Sequence, residues 1–244
     1  MEDLAELLFG VASVDRLTLF FTIAKERLRL TQLASKLSAS TQETSRHLSR
    51  LQEARIIEKG SDGCFILTSF GRALEALLPS LKFLTQHREY FLSHDLSTLP
   101  FEFRERIGEL EQGKFALGVG VVLSHTVQVF REAERYVLLA SDNVMDLATL
   151  GGNAASRDVL LRIVVPTASI VGAPSLSEVR TKLEVRLVDK VYAGLALNEK
   201  TAGVTFANLT GKIDFNSGFG SGDPKFHKWC TDLFMFHWNE AKPL

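Results

Sequence analysis

The tightest constraint on the fold is local: between residues 29 and 67, two short helix signals are followed at once by a glycine-turn hairpin. Thr31 offers an N-cap for a short helix whose inward face is Leu33, Ala34 and Leu37, and Ser38-Ala39-Ser40 breaks it. Ser40-Thr41-Gln42-Glu43 then reads as a capping box, in which the serine hydroxyl takes the N3 amide and Glu43 reaches back to the cap amide. The helix that starts there turns Leu48 and Leu51 inward, with the small residues Thr44 and Ser45 one turn earlier. Gln42, Glu43, Arg46, Ser49 and Arg50 are left on the outside. The β-prone runs 56–59 and 64–67 flank Gly60-Ser61-Asp62-Gly63, and Asp-Gly is a hairpin signal because glycine supplies positive φ. Few domains need this order of elements for stability alone, so it predicts a winged helix-turn-helix.

The flanking sequence extends this unit. Residues 4–26 carry apolar positions at spacings of three and four, which predicts a helix interrupted near Gly10. After the hairpin, Thr68 or Ser69 caps a long helix running to about His94. Its stripe of Leu74, Leu77, Leu78, Leu81 and Leu84 has the narrow form that seals a two-helix seam, which predicts a homodimer. Residues 96–100 read as a linker ending in Pro100, so the expected domains are 1–95, mainly helical with a β-hairpin, and 96–244, an α/β sheet domain. In the second, apolar runs at 136–140, 160–165 and 183–188 alternate with helix-length stretches such as 175–182, which predicts βαβ units and a largely parallel sheet. A hairpin over 192–197 and 203–206, a glycine-rich loop, and a last helix opened by Asp223-Pro224 complete the expectation.

Composition excludes several classes. With 45% hydrophobic and 23% charged residues the chain carries enough apolar surface for a packed core and is no disordered or collagen-like polymer. The acidic start Met1-Glu2-Asp3 lacks a basic signal region, and the apolar stretch 115–123 is too short to cross a bilayer, so a cytoplasmic protein without membrane contact is expected. Cys64 and Cys230 form neither a disulfide framework nor a zinc ribbon.

The net charge of −1 carries no global signal for nucleic acid, but the local count does. Across residues 29–60, Arg29, Lys36, Arg46, Arg50, Arg55 and Lys59 face only Glu43, Glu53 and Glu58. A helix docked in the major groove presents short or planar polar groups to base edges and cations to phosphates. Arg46 and Arg50 suit the guanine edge and Gln42 the adenine edge, so double-stranded DNA is the expected partner. The expected contact set is Thr31, Thr41, Gln42, Glu43, Thr44, Ser45, Arg46, Ser49 and Arg50, with Lys59, Ser61 and Asp62 on the wing.

Residues 30–51, the hairpin and the exit Leu67-Thr68-Ser69-Phe70-Gly71 look like ArsR/MarR-type winged helices. More specific are His87-Arg88-Glu89-Tyr90-Phe91-Leu92-Ser93-His94-Asp95-Leu96, Arg106-Ile107-Gly108-Glu109-Leu110 and Asp223-Pro224-Lys225-Phe226-His227-Lys228-Trp229-Cys230-Thr231-Asp232-Leu233-Phe234. Together these resemble the archaeal methanogenesis and filament-growth regulators, two-domain winged-helix transcription factors, over nearly the whole chain. The resemblance implies sequence-specific transcription regulation, a phospholipase-D-like fold for the rear domain, and a small-molecule effector sensed there.

Other chemistries are weaker. Phospholipase D activity needs a histidine with lysine two residues on, and no H-x-K occurs, so an enzyme is not expected. The alternative is a phospholipase-D-fold phosphodiesterase or nucleotide-processing protein that uses its winged helix for protein interaction. His227 and Cys230, with His237 nearby, have metal-ligand spacing, but their aromatic setting favours a core, and no metal or cofactor is expected. Three parallel strands would place Ser141, Asp142, Asn143, Thr167 and Asp189 along their carboxyl edge, where open α/β sheets bind ligands. Helix caps and loop polars are the competing reading of the same residues.

Overall fold

A computed structural model describes residues 1–142, 159–170 and 182–244, the side chain of Ile170 excepted. The chain divides into two compact units, Met1–Pro79 and Ser80–Leu244, a division ahead of the break expected after residue 95.

The first unit begins with α1 (Glu2–Val11) and α2 (Val14–Lys25), separated at Ala12-Ser13 rather than at Gly10. Gly10 lies inside α1, where an added Cβ would sit 3.3 Å from Ala54. α3 (Leu30–Leu37) starts before Thr31, because the Arg29 backbone N–H donates to Gln32 Oε1 at 2.9 Å while Leu28 is held in a β-bridge to Phe65. Thr31 is therefore an exposed residue of the first turn and not the cap. α3 ends in a left-handed residue, Ser38 at φ 55°, and the Ala39 N–H returns to the Ala34 carbonyl at 3.1 Å, which satisfies an orphan carbonyl of the last turn. α4 (Thr41–Glu53) follows, its start fixed by Ser40 Oγ accepting from the Glu43 amide at 3.1 Å, the serine half of the expected capping box. It closes like α3, with Arg55 at φ 55° and the Ile56 N–H on the Leu51 carbonyl at 2.9 Å.

β1 (Ile57–Lys59) and β2 (Phe65–Leu67) pair antiparallel as the expected hairpin, Lys59 opposite Phe65, with Gly63 at φ 78° in the turn. Leu19, Phe20, Leu33, Leu48, Leu51 and Ile56 fill the core of the unit. α5 (Ser69–Gln86) starts where predicted, contains Pro79, and stops at His87; α6 (Arg88–Ser93) is a separate helix, so the continuous helix to residue 94 does not form. The leucine stripe is also split: Leu74 and Leu78 pack on the core of the first unit and Leu84 on that of the second. Only Leu77 and Leu81 are exposed, at 64% and 51%.

The second unit continues through α7 (Phe101–Glu105) and a 3-10 turn at Ile107–Leu110 into a sheet. Its elements are β3 (Lys114–Leu117), α8 (Val119–Glu132), β4 (Tyr136–Ala140), β5 (Leu160–Pro166), β6 (Lys182–Val188), β7 (Ala193–Leu197), β8 (Ala202–Phe206), β9 (Ser217–Ser221), α9 (Pro224–Glu240) and β10 (Lys242–Pro243). The strand order is β10-β6-β5-β4-β7-β8-β9-β3. β4, β5 and β6 are parallel as expected, but every other pairing is antiparallel, so the sheet is mixed and not largely parallel. The glycine-rich loop after the β7–β8 hairpin contains β9, which pairs with both β8 and β3. The stretches 143–158 and 175–181 lie outside the described residues, and with them the helices expected between the parallel strands.

The two faces of this sheet differ in side-chain size. Leu195, Leu197, Val204, Phe206 and Phe219 belong to a core with Trp229, Phe234 and their neighbours on α9. That helix is capped as its sequence demands, Asp223 accepting from the amides of Lys225 and Phe226 at 2.9 and 3.1 Å ahead of Pro224 at N1. On the alternate positions stand Gly194 and Ala196 of β7, Gly203 and Thr205 of β8, and Gly218 and Gly220 of β9, and α8 covers this side.

Candidate nucleic-acid interface

The first unit presents one helix face free of packing duties. Leu48 and Leu51 are buried, which fixes the rotation of α4 and leaves Thr41, Gln42, Glu43, Ser45, Arg46, Ser49 and Arg50 exposed. Thr44 is the exception among the expected contacts: it is fully buried, and its hydroxyl donates to the Ser40 carbonyl at 2.9 Å. Thr44 therefore anchors the helix start and is removed from the contact set. Ser45 faces outward, not inward as its spacing suggested, because the buried stripe runs through Thr44, Leu48 and Leu51 alone.

Arg46 has no hydrogen bond or ion pair among the described residues, so its guanidinium can engage a partner without breaking an internal contact. Arg50 Nη1 lies 3.0 Å from Glu53 Oε2, with both side chains more than 60% exposed, a solvent-screened pair of small worth that an incoming phosphate or guanine edge can replace. Ser49 donates to the Ser45 carbonyl at 3.0 Å. On the inner margin of the helix, His47 Nε2 sits 3.5 Å from Asp15 Oδ2, tying α4 to α2. The ligand-type atoms of Asp15, Glu43 and His47 all lie within 4.8 Å of one another, a grouping that no local sequence spacing announces.

The hairpin turn is built by Asp62. Its carboxylate accepts from the Cys64 amide at 3.1 Å and pairs with Arg27 at 3.0 Å. The Cys64 amide, helped by Arg27, holds its pKa below the usual carboxylate range. An acid engaged in this way shapes the tip of the hairpin. Lys59 and Ser61 are exposed, the Lys59 ammonium lying 5.9 Å from the centroid of the Phe65 ring.

The sheet edge expected to bind a ligand does not gather into one site. Thr167 is exposed, its hydroxyl 3.4 Å from the Val188 carbonyl, and Asp189 is exposed beyond β6. Asp142 is occupied at both ends, Oδ2 accepting from the Ile213 amide at 3.2 Å and its backbone carbonyl from Ser169 Oγ at 2.7 Å. These contacts tie strand ends together, and Asn143 lies outside the described residues. Ser141 alone of the expected set lines a cavity, a space of about 770 Å³ under α8 against the small-residue face of the sheet. The sequence signal missed there was glycine inside strands, which marks close approach of another group.

Of the candidate ligands His227, Cys230 and His237, the last two are buried and His227 is half-buried. His227 Nε2 is 2.6 Å from the Asn198 carbonyl, His237 Nε2 accepts from the Tyr192 amide at 3.3 Å, and Cys230 is fully buried, which pushes its thiol pKa well up.

The fold and this face together define a class: a helix-turn-helix with a β-hairpin wing, joined to a mixed-sheet α/β unit. No family model and no curated protein matches the chain. Solved structures similar to it include TrmBL2, described as an archaeal chromatin protein with a novel mode of DNA binding, at 17% identity and a TM-score of 0.47 over 92% of each chain. Also similar are NucT from Helicobacter pylori, at 14% identity and a TM-score of 0.41 over 54% of this chain and 99% of its own, and the phospholipase D family member Nuc from Salmonella typhimurium, at 13% and 0.42 over 54% and 98%. Among the described residues no single helix is long and apolar enough to cross a membrane; α1 and α2 reach that apolar length only as a pair, bent by 86°.

Proposed function

We propose that this chain is a sequence-specific DNA-binding transcription regulator that acts as a homodimer and whose second unit responds to a small molecule. The observation that carries the DNA reading is the exposed face of α4. Arg46 stands without an internal partner, one turn from Gln42 and Arg50, on a helix held rigidly by Ser40, Leu48 and Leu51. The resemblance of the head to ArsR/MarR-type winged helices supports the same reading. Two copies bring two such helices to half-sites about one DNA turn apart, with Leu77 and Leu81 of α5 as the seam between them.

Selection of bound sequences from random duplex DNA at one fixed salt concentration tests this, with an Arg46→Ala/Arg50→Ala variant in parallel. The expected result is an enriched inverted repeat that the variant no longer selects. Equal selection by both proteins would remove α4 as the reading helix, and no enrichment by either would remove sequence-specific DNA binding.

A further inference from the structure

The cavity under α8 exists because the sheet face beneath it has almost no side chains. Gly194, Ala196, Gly203, Gly218 and Gly220 occupy positions that a packed α/β layer fills with branched residues, while the opposite face of the same strands is fully packed under α9. The glycines seat two polar side chains. A Cβ on Gly203 would lie 2.7 Å from His125 Cδ2 and one on Gly220 3.0 Å from His125 Cε1, so the imidazole rests on this cross-strand pair. A Cβ on Gly218 would lie 2.6 Å from Thr205 Cγ2, and one on Gly194 would meet Thr205 Oγ1. Thr205 is 7% exposed, and among the described residues its hydroxyl has no hydrogen-bond partner, as is also true of the buried His125 Nε2. Both residues line the cavity.

A buried hydroxyl left unpaired costs stability that valine at the same position would not. Two such atoms, seated on glycines at the floor of one cavity that their own side chains line, are the arrangement of a site whose hydrogen bonds are completed by a ligand. Gly203 and Thr205 are two residues apart on one strand face, a spacing of about 7 Å, so the His125 and Thr205 side chains are within reach of a single small molecule.

The lining also fixes the ligand's chemistry. Among the described residues Lys114, exposed on the edge strand β3, is the one lining residue with a permanent charge, and no carboxylate lines the cavity. Burial keeps the His125 imidazole pKa below its ordinary value, against the opposing influence of the Ala202 backbone and the Glu132 charge, so His125 is neutral at pH 7. Val119, Val122 and Phe215 supply apolar walls, against which an ion would be stripped of water without compensation.

We infer that this cavity binds a neutral one- or two-ring molecule, apolar over most of its surface, whose hydroxyl or ring N–H completes the hydrogen bonds of Thr205 and His125. The inference rests on reading the second unit as the one that responds to a small molecule. Binding measured without DNA keeps its failure separate from failure of the DNA-binding reading.

The experiment uses the full chain with 2-naphthol and 2-methylnaphthalene, matched in size and differing in the hydroxyl, followed by the fluorescence of the probe. Thr205→Val is expected to weaken 2-naphthol about three- to tenfold, the worth of one hydrogen bond, and to leave 2-methylnaphthalene unchanged. The same variant, free of ligand, is expected to unfold at a higher temperature than the parent. Ala116→Phe, which fills the cavity from the edge strand, is expected to abolish binding of both probes. Failure of both probes to bind the parent, equal 2-naphthol affinity in parent and Thr205→Val, or undiminished binding in Ala116→Phe would each overturn the inference.

Discussion

A single buried histidine sets a measurable pH dependence. His237 is 1% exposed, its Nε2 accepts from the Tyr192 amide, and its ring stacks on Tyr192 at 4.9 Å between centroids. Burial in this apolar setting lowers its pKa to about 4. In the unfolded chain the imidazole takes up a proton near pH 6.5, whereas in the folded chain it stays neutral until about pH 4, so below pH 6.5 the unfolded state binds the extra proton. Stability from this group is complete above pH 6.5 and is lost as the pH falls towards 4, by about 2 kcal/mol between pH 7 and pH 5. His125, lowered in the same direction, adds to the slope. Urea midpoints at pH 7, 6 and 5 should therefore fall more steeply for the parent than for His237→Gln, which keeps an acceptor for Tyr192 and cannot titrate. Parallel profiles would show that His237 is not held neutral by the fold.

Among the elements, those set by neighbours in sequence were legible and those set by distant partners were not. The α3–α4 pair, the hairpin and the Asp223-Pro224 start of α9 follow from caps and turn residues acting within a few positions. Thr31 failed as a cap because the chain ahead of it is pinned by Leu28 bridging Phe65, a partner 37 positions away. β9 was unreadable for a similar reason. Ser217-Gly218-Phe219-Gly220-Ser221 has a turn's composition and becomes a strand only between β8 and β3, the second of which lies about a hundred residues earlier. The outer face of α4 was visible in the helical period, Ser45 alone having been placed on the buried side of its edge. The cavity was invisible because it is made of side chains that are absent from three paired strands. α5 combines both cases: its leucine stripe is real, yet Leu74, Leu78 and Leu84 are spent inside the two cores. Leu77 and Leu81 remain exposed one turn apart, so the proposed seam is carried by fewer residues than the sequence offers. Leu77→Asp/Leu81→Asp should sediment as a monomer at concentrations where the parent sediments as a dimer. Its unfolding midpoint should no longer depend on protein concentration, whereas that of the dimeric parent rises with concentration. A variant that stays dimeric would place the seam elsewhere.

On the scale of the whole molecule, the hydrophobic clusters of the two units share no described residue. That of the first draws on residues from Leu7 to Leu78, with Leu48 and Leu51 fully buried, and the two of the second on Phe83 to Ala241, with Leu233 and Phe234 fully buried against the sheet. The chain passes from one to the other inside α5, at Pro79, where the helix lacks one backbone donor and so carries cooperativity poorly. Units with separate cores unfold as separate cooperative steps when the link between them is weak. Calorimetry of the full chain should then resolve two transitions. Leu48→Ala, which empties a fully packed site, should lower one of them by about 2–5 kcal/mol and leave the other in place, and Leu233→Ala should do the converse. Probes of the cavity under α8 should raise only the transition that Leu233→Ala lowers, because every residue lining that cavity lies between Lys114 and Gly222. If one substitution moved both transitions together, the units would be thermodynamically a single body, and a molecule bound under α8 would then act on the stability of the α4 face directly.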